Sequence, residues 1–273
     1  MPLPPSRIVK RKYLLVVLIL SLASILPDLV FAGSGTSADP WRTLNIFYTW
    51  SNNSGPTSTY QDITADQAHP SYVEFWAYAQ NLSSGKQSYL GMQTMGTLKG
   101  YQNGLQVAKS VHFSLFGNGN PIANLQPQYC TSGADGGTGL SCAQSFAWSV
   151  ATSYRFQVNY YYGITTPGWC PSGLSSCTVA QGLIGSTQIA AFSYSPFAYG
   201  VMQGANSFLE LPLNTGGTCA APVPQGTYVV PSKTISGVTS SIISATSFDR
   251  TDTVYPQTCA RTYNDWVVTR IHY

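Results

Sequence analysis

Charge is what this chain has least of. Of 273 residues only 13 are Lys or Arg and 10 are Asp or Glu, with three histidines. Four of the bases (Arg7, Lys10, Arg11, Lys12) and one of the acids (Asp28) precede Gly33, so nine of each sign remain beyond it. A balance of that kind offers no basic face for nucleic acid. The shortage of acids also weighs against glycosidic hydrolysis, which takes two carboxylates about 5–9.5 Å apart. The nine acids are Asp39, Asp62, Asp66, Glu74, Asp135, Glu210, Asp249, Asp252 and Asp265, and no two form a closely spaced pair on one strand. Helix signals are nearly missing, and so is the Gly-x-Ser-x-Gly elbow of a serine hydrolase. Solubility therefore falls to Ser, Thr, Asn, Gln and Tyr, a composition suited to an extracellular β protein.

The first 32 residues read as a targeting segment. A basic start is followed by the uncharged apolar run Tyr13 to Leu26, and Val30-Phe31-Ala32 places small residues at a cleavage position. That is the layout of a secretory signal peptide, and the run is shorter than the roughly 20 residues of a spanning helix. A retained N-terminal anchor is the alternative. Residues 33–43 read as a flexible leader and 44–273 as one domain, a length that supports a substantial core. No membrane association is expected once the signal is removed.

All six cysteines, Cys130, Cys142, Cys170, Cys177, Cys219 and Cys259, lie beyond the signal. An even count in an exported chain reads as disulfides. Local closure favours Cys130–Cys142 and Cys170–Cys177, because short loops lose less entropy, and leaves Cys219–Cys259. The spacings lack the short pairs of a zinc site, and no metal or other cofactor is expected.

Period-two alternation dominates what is present. Val111, Phe113 and Leu115 share one side of a strand whose other side carries Ser110, His112 and Ser114. Tyr154, Phe156, Val158, Tyr160 and Tyr162 alternate with Ser153, Arg155, Gln157, Asn159 and Tyr161. Phe146, Trp148 and Val150 step by two as well. Alternation is the mark of a half-buried strand. Further strands are expected at 44–50, 72–81, 88–95, 189–194, 208–211, 228–230 and 266–273, with strand or surface loop open at 234–246. Many short strands with Gly, Pro, Asn and Ser between them predict an all-β fold, an antiparallel jelly-roll-like β-sandwich braced by disulfides, with a closed barrel as the alternative.

An ordered set of motifs runs through the middle of the chain: Tyr89-Leu-Gly91-Met-Gln93, Phe113-Ser114-Leu-Phe116, Asp135-Gly-Gly-Thr-Gly139, Phe146-Ala-Trp148, Tyr154-Arg155-Phe156 and Ser207-Phe208-Leu209-Glu210. The set resembles a secreted family catalogued as a domain of unknown function. That family shows Tyr-Phe-Gly-Ile-Gln, Phe-Ser-x-Trp, a Gly-Glu-Gly-Thr-Gly loop, and a late Ser-Phe-x-Glu. The resemblance covers about residues 44–210. It departs at the loop acid, which here is Asp135 or a glycine, and at the tryptophan, which here is Phe116. It implies a secreted all-β protein associated with glycans and implies no particular activity.

Five residues stand out as candidate ligand contacts. Asp135, set among glycines between Cys130 and Cys142, would meet a sugar hydroxyl or help hold calcium, although one carboxylate falls short of the six to eight oxygens calcium takes. Glu210 interrupts an apolar strand, where a carboxylate is costly unless paired, and Arg155 is its expected partner. Trp76 and Tyr161, with Trp50, Tyr78 and Trp169, would present rings to the C–H faces of sugars beside Asn and Gln. His112 with Tyr161 and Arg155 is the set a polysaccharide lyase would need. Each residue also has an ordinary structural role open to it, as turn, ion pair or core ring. The sequence therefore points to a secreted, non-catalytic carbohydrate- or cell-surface-binding protein. A carbohydrate-active enzyme (lyase or hydrolase) and a structural or adhesive surface protein are the alternatives.

Overall fold

The structure is a computed structural model. It describes residues 41–50, 55–68, 74–82, 86–94, 107–117, 122–125, 130–134, 139–195, 202–212, 225–235, 238–240, 242–250 and 268–272. Asp135, Cys219, Cys259 and the first 40 residues lie outside them. Among the described residues there is no helix, and so none long and apolar enough to cross a membrane.

Two antiparallel sheets make up the fold. The first runs in the order β16 (Ile242–Arg250), β1 (Trp41–Trp50), β12 (Met202–Pro212), β3 (Phe75–Leu82), β4 (Lys86–Thr94), β5 (Lys109–Gly117), β8 (Gly139–Ser145), β7 (Cys130–Ala134). The second runs β15 (Val238–Ser240), β14 (Ser232–Ile235), β2 (Ser58–Gln67), β9 (Ser153–Ile164), β10 (Cys177–Ile184), β11 (Thr187–Tyr194), β6 (Ile122–Asn124). On its β2 edge β13 (Gln225–Val229) also pairs, and carries β17 (Val268–His272). Sequence-distant neighbours such as β1 with β12 and β2 with β9 give the jelly-roll-like character.

The alternating strands decide which sides meet. Phe113 from β5 stacks on Phe192 from β11 at 5.0 Å between ring centroids. Its ring also lies where a Cβ on Gly182 of β10 would stand, 2.6 Å away. Trp76 from β3 donates its indole N–H to the Gln225 carbonyl of β13 at 3.0 Å and meets Trp148 edge-on. Between the sheets the contact is partly polar. Ser207 of β12 donates across to Gln61 Oε1 of β2 at 2.8 Å, and Gln61 Nε2 donates within its own sheet to the Val229 carbonyl of β13 at 2.8 Å. Tyr48 of β1 lies within hydrogen-bond reach of both side chains. Burial pushes the Tyr48 hydroxyl up to about 12.

Two disulfides form among the described residues, Cys130–Cys142 and Cys170–Cys177. The first joins residues directly opposite each other on β7 and β8. One expected strand does not form. Phe146 is half-buried and Trp148 buried, but Val150 is exposed, β8 ends at Ser145, the Trp148 N–H folds back onto the Phe146 carbonyl at 2.9 Å, and Ala151 takes a positive φ of 57°. The rings still anchor inward without a ladder, because a tight three-residue turn preserves alternation while breaking pairing.

Candidate functional site

The second sheet turns a polar, aromatic side outward. Along β9 the outward row is Arg155, Gln157, Asn159 and Tyr161, and inward Phe156, Val158 and Tyr160 are buried. Across the ladder Gln157 faces Leu183, Asn159 faces Gln181, and Tyr161 faces Val179. The side-chain amides are chained together. Gln157 Nε2 donates to Asn159 Oδ1 at 2.7 Å, and Asn159 Nδ2 donates to Gln181 Oε1 at 3.4 Å. Gln181 Nε2 donates onward to Gln188 Oε1. The Tyr161 hydroxyl donates to Gln181 Oε1 at 3.0 Å, fixing the end of the row.

Beside this row opens a groove of about 700 Å³. Tyr161, Trp169, Gln181, Gln188 and Asn124 supply its walls, with Val179 and Ala191 among its apolar lining. Its size falls within the range of small-molecule sites. Three large hydrophobic side chains stand exposed among the described residues, and two of them, Tyr161 at 46% and Trp169 at 47%, line this groove. A paired exposure of rings at one concavity is informative in a way that a scattered exposed residue is not.

Trp169 is held by the connection between β9 and β10. The Cys170–Cys177 bond closes that loop directly after it. The Trp169 N–H donates to the Thr166 carbonyl at 3.1 Å, and the Ser193 hydroxyl donates to the Trp169 carbonyl. Gly168 carries a φ of 78°, a conformation that L side chains rarely adopt. The indole is thus presented by a pinned backbone.

Arg155 lies on the same outward row as Tyr161, six residues or roughly 20 Å along the strand. Its partner is Asp62 of β2, through two hydrogen bonds of 2.8 Å each, and its guanidinium lies over Tyr60 at 4.3 Å. Asp62 raises the already high pKa of this guanidinium, chiefly through those hydrogen bonds.

Glu210 is placed elsewhere. It is 4% exposed, on the side of β12 that faces away from the sandwich interior. It sits in register with Phe75, which in turn sits opposite Gln93. Around it the motif residues of the family resemblance converge: Tyr89, Phe116 and Phe208 form an aromatic cluster with Phe75 and His112. His112 bonds Ser110 at 2.8 Å, and burial pushes its imidazole down to about 4.

The structure therefore separates what the sequence had grouped. Arg155 does not pair with Glu210, since the two lie on opposite outer sides of the sandwich with the core between them. The same separation parts His112 from Tyr161 and Arg155, so no lyase set forms. Trp76 is 0% exposed and belongs to the core with Tyr78 and Trp50. Asp135 falls outside the described residues. Of the candidates, Tyr161 and Arg155 share one surface, joined there by Trp169. The four amides were missed as a group. Their signal was the run of Gln and Asn at every second position of β9, with Gln181 opposite, but pairing across strands is not written in the sequence of either.

No protein-family model matches the chain, and no curated protein matches it. Among solved structures it is similar to a β-porphyranase from the human gut bacterium Bacteroides plebeius, at 8% identity and a TM-score of 0.21. The match covers 63% of this chain, and the chain spans 63% of the length of that protein.

Proposed function

We propose that the chain is a secreted, non-catalytic carbohydrate-binding protein whose site is the groove on the nine-stranded sheet. The observation that carries this reading is the pair of half-exposed rings, Tyr161 and Trp169, flanking a chain of oriented amides. A sugar ring presents C–H groups to an aromatic face and hydroxyls at its edge. Tyr161 and Trp169 meet the first need, and Gln181, Gln188 and Asn124 meet the second. Among the described residues the groove lining contains no carboxylate and no histidine, so those residues supply no general acid–base pair for cleavage. Secretion is supported by the signal-like leader and by the formation of two disulfides, which persist in oxidising compartments.

A glycan array with the disulfide-intact protein tests this. The wild type should bind a defined set of glycans. Trp169→Ala and Tyr161→Ala should each weaken that binding about tenfold or more, the effect of losing roughly 1.4 kcal/mol. Both side chains are half-exposed, so melting should stay within a degree or two. Binding unaffected by either substitution would remove the site from this groove.

A further inference from the structure

We propose that the groove selects neutral glycans and rejects those bearing carboxylate or sulfate, a selectivity that rests on the carbohydrate-binding reading above. Among the described residues the lining supplies rings, amides and aliphatic carbon but no cation. Along the outward row of β9 the one cation is Arg155, and its guanidinium is already engaged by both carboxylate oxygens of Asp62. The stripe running from Tyr60 and Arg155 to Tyr161 and Trp169 is therefore electrically closed. An anionic sugar laid along it would surrender hydration without meeting a free positive charge, which is costly. A hydroxyl loses far less and is matched in kind.

The amide chain sets the polarity of that match. Gln181 Oε1 already accepts from both Asn159 and Tyr161, which fills its two lone-pair directions. Gln157, Asn159 and Gln181 each spend one amide N–H on a neighbour and keep a second. The Tyr161 oxygen keeps its lone pairs. The row thus offers fixed N–H donors next to a phenolic acceptor, a pattern that a hydroxyl satisfies as donor and acceptor together. A carboxylate or sulfate can only accept, and neutral amide donors do not replace the charge-assisted bonds it makes to Arg or Lys.

Affinity electrophoresis tests the selectivity with polysaccharides that differ only in charge. Polygalacturonate is paired with its carboxyl-reduced form, and a sulfated galactan with its desulfated form, alongside xylan, mannan and β-glucan, at low and high salt. The wild type should be retarded by a neutral polymer equally at both salts, and by the anionic counterpart at least tenfold less. Trp169→Ala should abolish the retardation. Asp62→Asn, which releases Arg155, should add retardation by the polyanions that high salt removes.

A wild type that holds a polyanion as tightly as its neutral twin, in a Trp169-dependent way, overturns the selectivity and leaves the groove standing. Retardation that survives Trp169→Ala, or none by any polymer, overturns the groove and the selectivity together. An Asp62→Asn protein still blind to polyanions, with its melting unchanged, overturns the role given to the Arg155–Asp62 pair.

Discussion

At Gly182 an added Cβ would stand 2.6 Å from the ring of Phe113, which is itself stacked on Phe192. Neither ring has room to yield, because both are fully buried. Gly182→Ala should therefore destabilise by about 1–3 kcal/mol, the usual cost of overpacking a core, read as a lower midpoint in denaturant. His112 should make stability depend on pH. The folded chain releases its proton by about 4, against an ordinary value of 6.5 in the unfolded chain. Between these values the unfolded chain binds more protons, so stability rises with pH there. His112's contribution is full above about pH 6.5 and is lost as pH falls toward 4, a change of roughly 1–3 kcal/mol. Urea unfolding across this window should show the slope, and His112→Gln should flatten it. Tyr161 was readable from its own strand, where one parity is polar and the other apolar. Trp76 was not, since Phe75, Ala77 and Tyr78 make both parities apolar. The eight-stranded sheet is buried on both sides at β3, so alternation there carries no sidedness.

The elements that matter most are β9, β10 and the loop between them. The Cys170–Cys177 bond ties the residue after Trp169 to the first residue of β10. Replacing both cysteines by Ser should cost about 2–4 kcal/mol of stability, as native disulfides do. It should also weaken glycan binding at temperatures where the protein stays folded, because the indole loses its pinned backbone. A titration well below the melting temperature separates the two effects, and unchanged affinity there would remove the loop from the account. Local closure had marked this pair and Cys130–Cys142 in the sequence. β2, in contrast, was not legible. Its inward residues include Thr59 and Gln61 beside Ile63 and Ala65, so its buried face reads as polar. Gln61 is tolerated there because Ser207 and the Val229 carbonyl satisfy it. Such a pairing depends on strands far apart in the chain, which no local pattern announces. The Phe146–Val150 stretch erred the other way, with rings anchored inward from a turn.

On the scale of the whole molecule the two outer sides of the sandwich differ in kind. The eight-stranded sheet carries Glu210 and His112 within a buried aromatic cluster. The nine-stranded sheet carries an open groove with exposed rings, oriented amides and a closed ion pair. The all-β architecture followed from composition and alternation. The division of labour between the two sides did not, because it depends on which strands become neighbours. The most direct test of the groove's role is a crystal structure of the disulfide-intact protein with a neutral oligosaccharide that it binds. A sugar ring lying against Trp169 or Tyr161, with hydroxyls on Gln181 or Gln188, is the predicted result. A sugar seated on the eight-stranded sheet beside Glu210, with the groove empty, would contradict it.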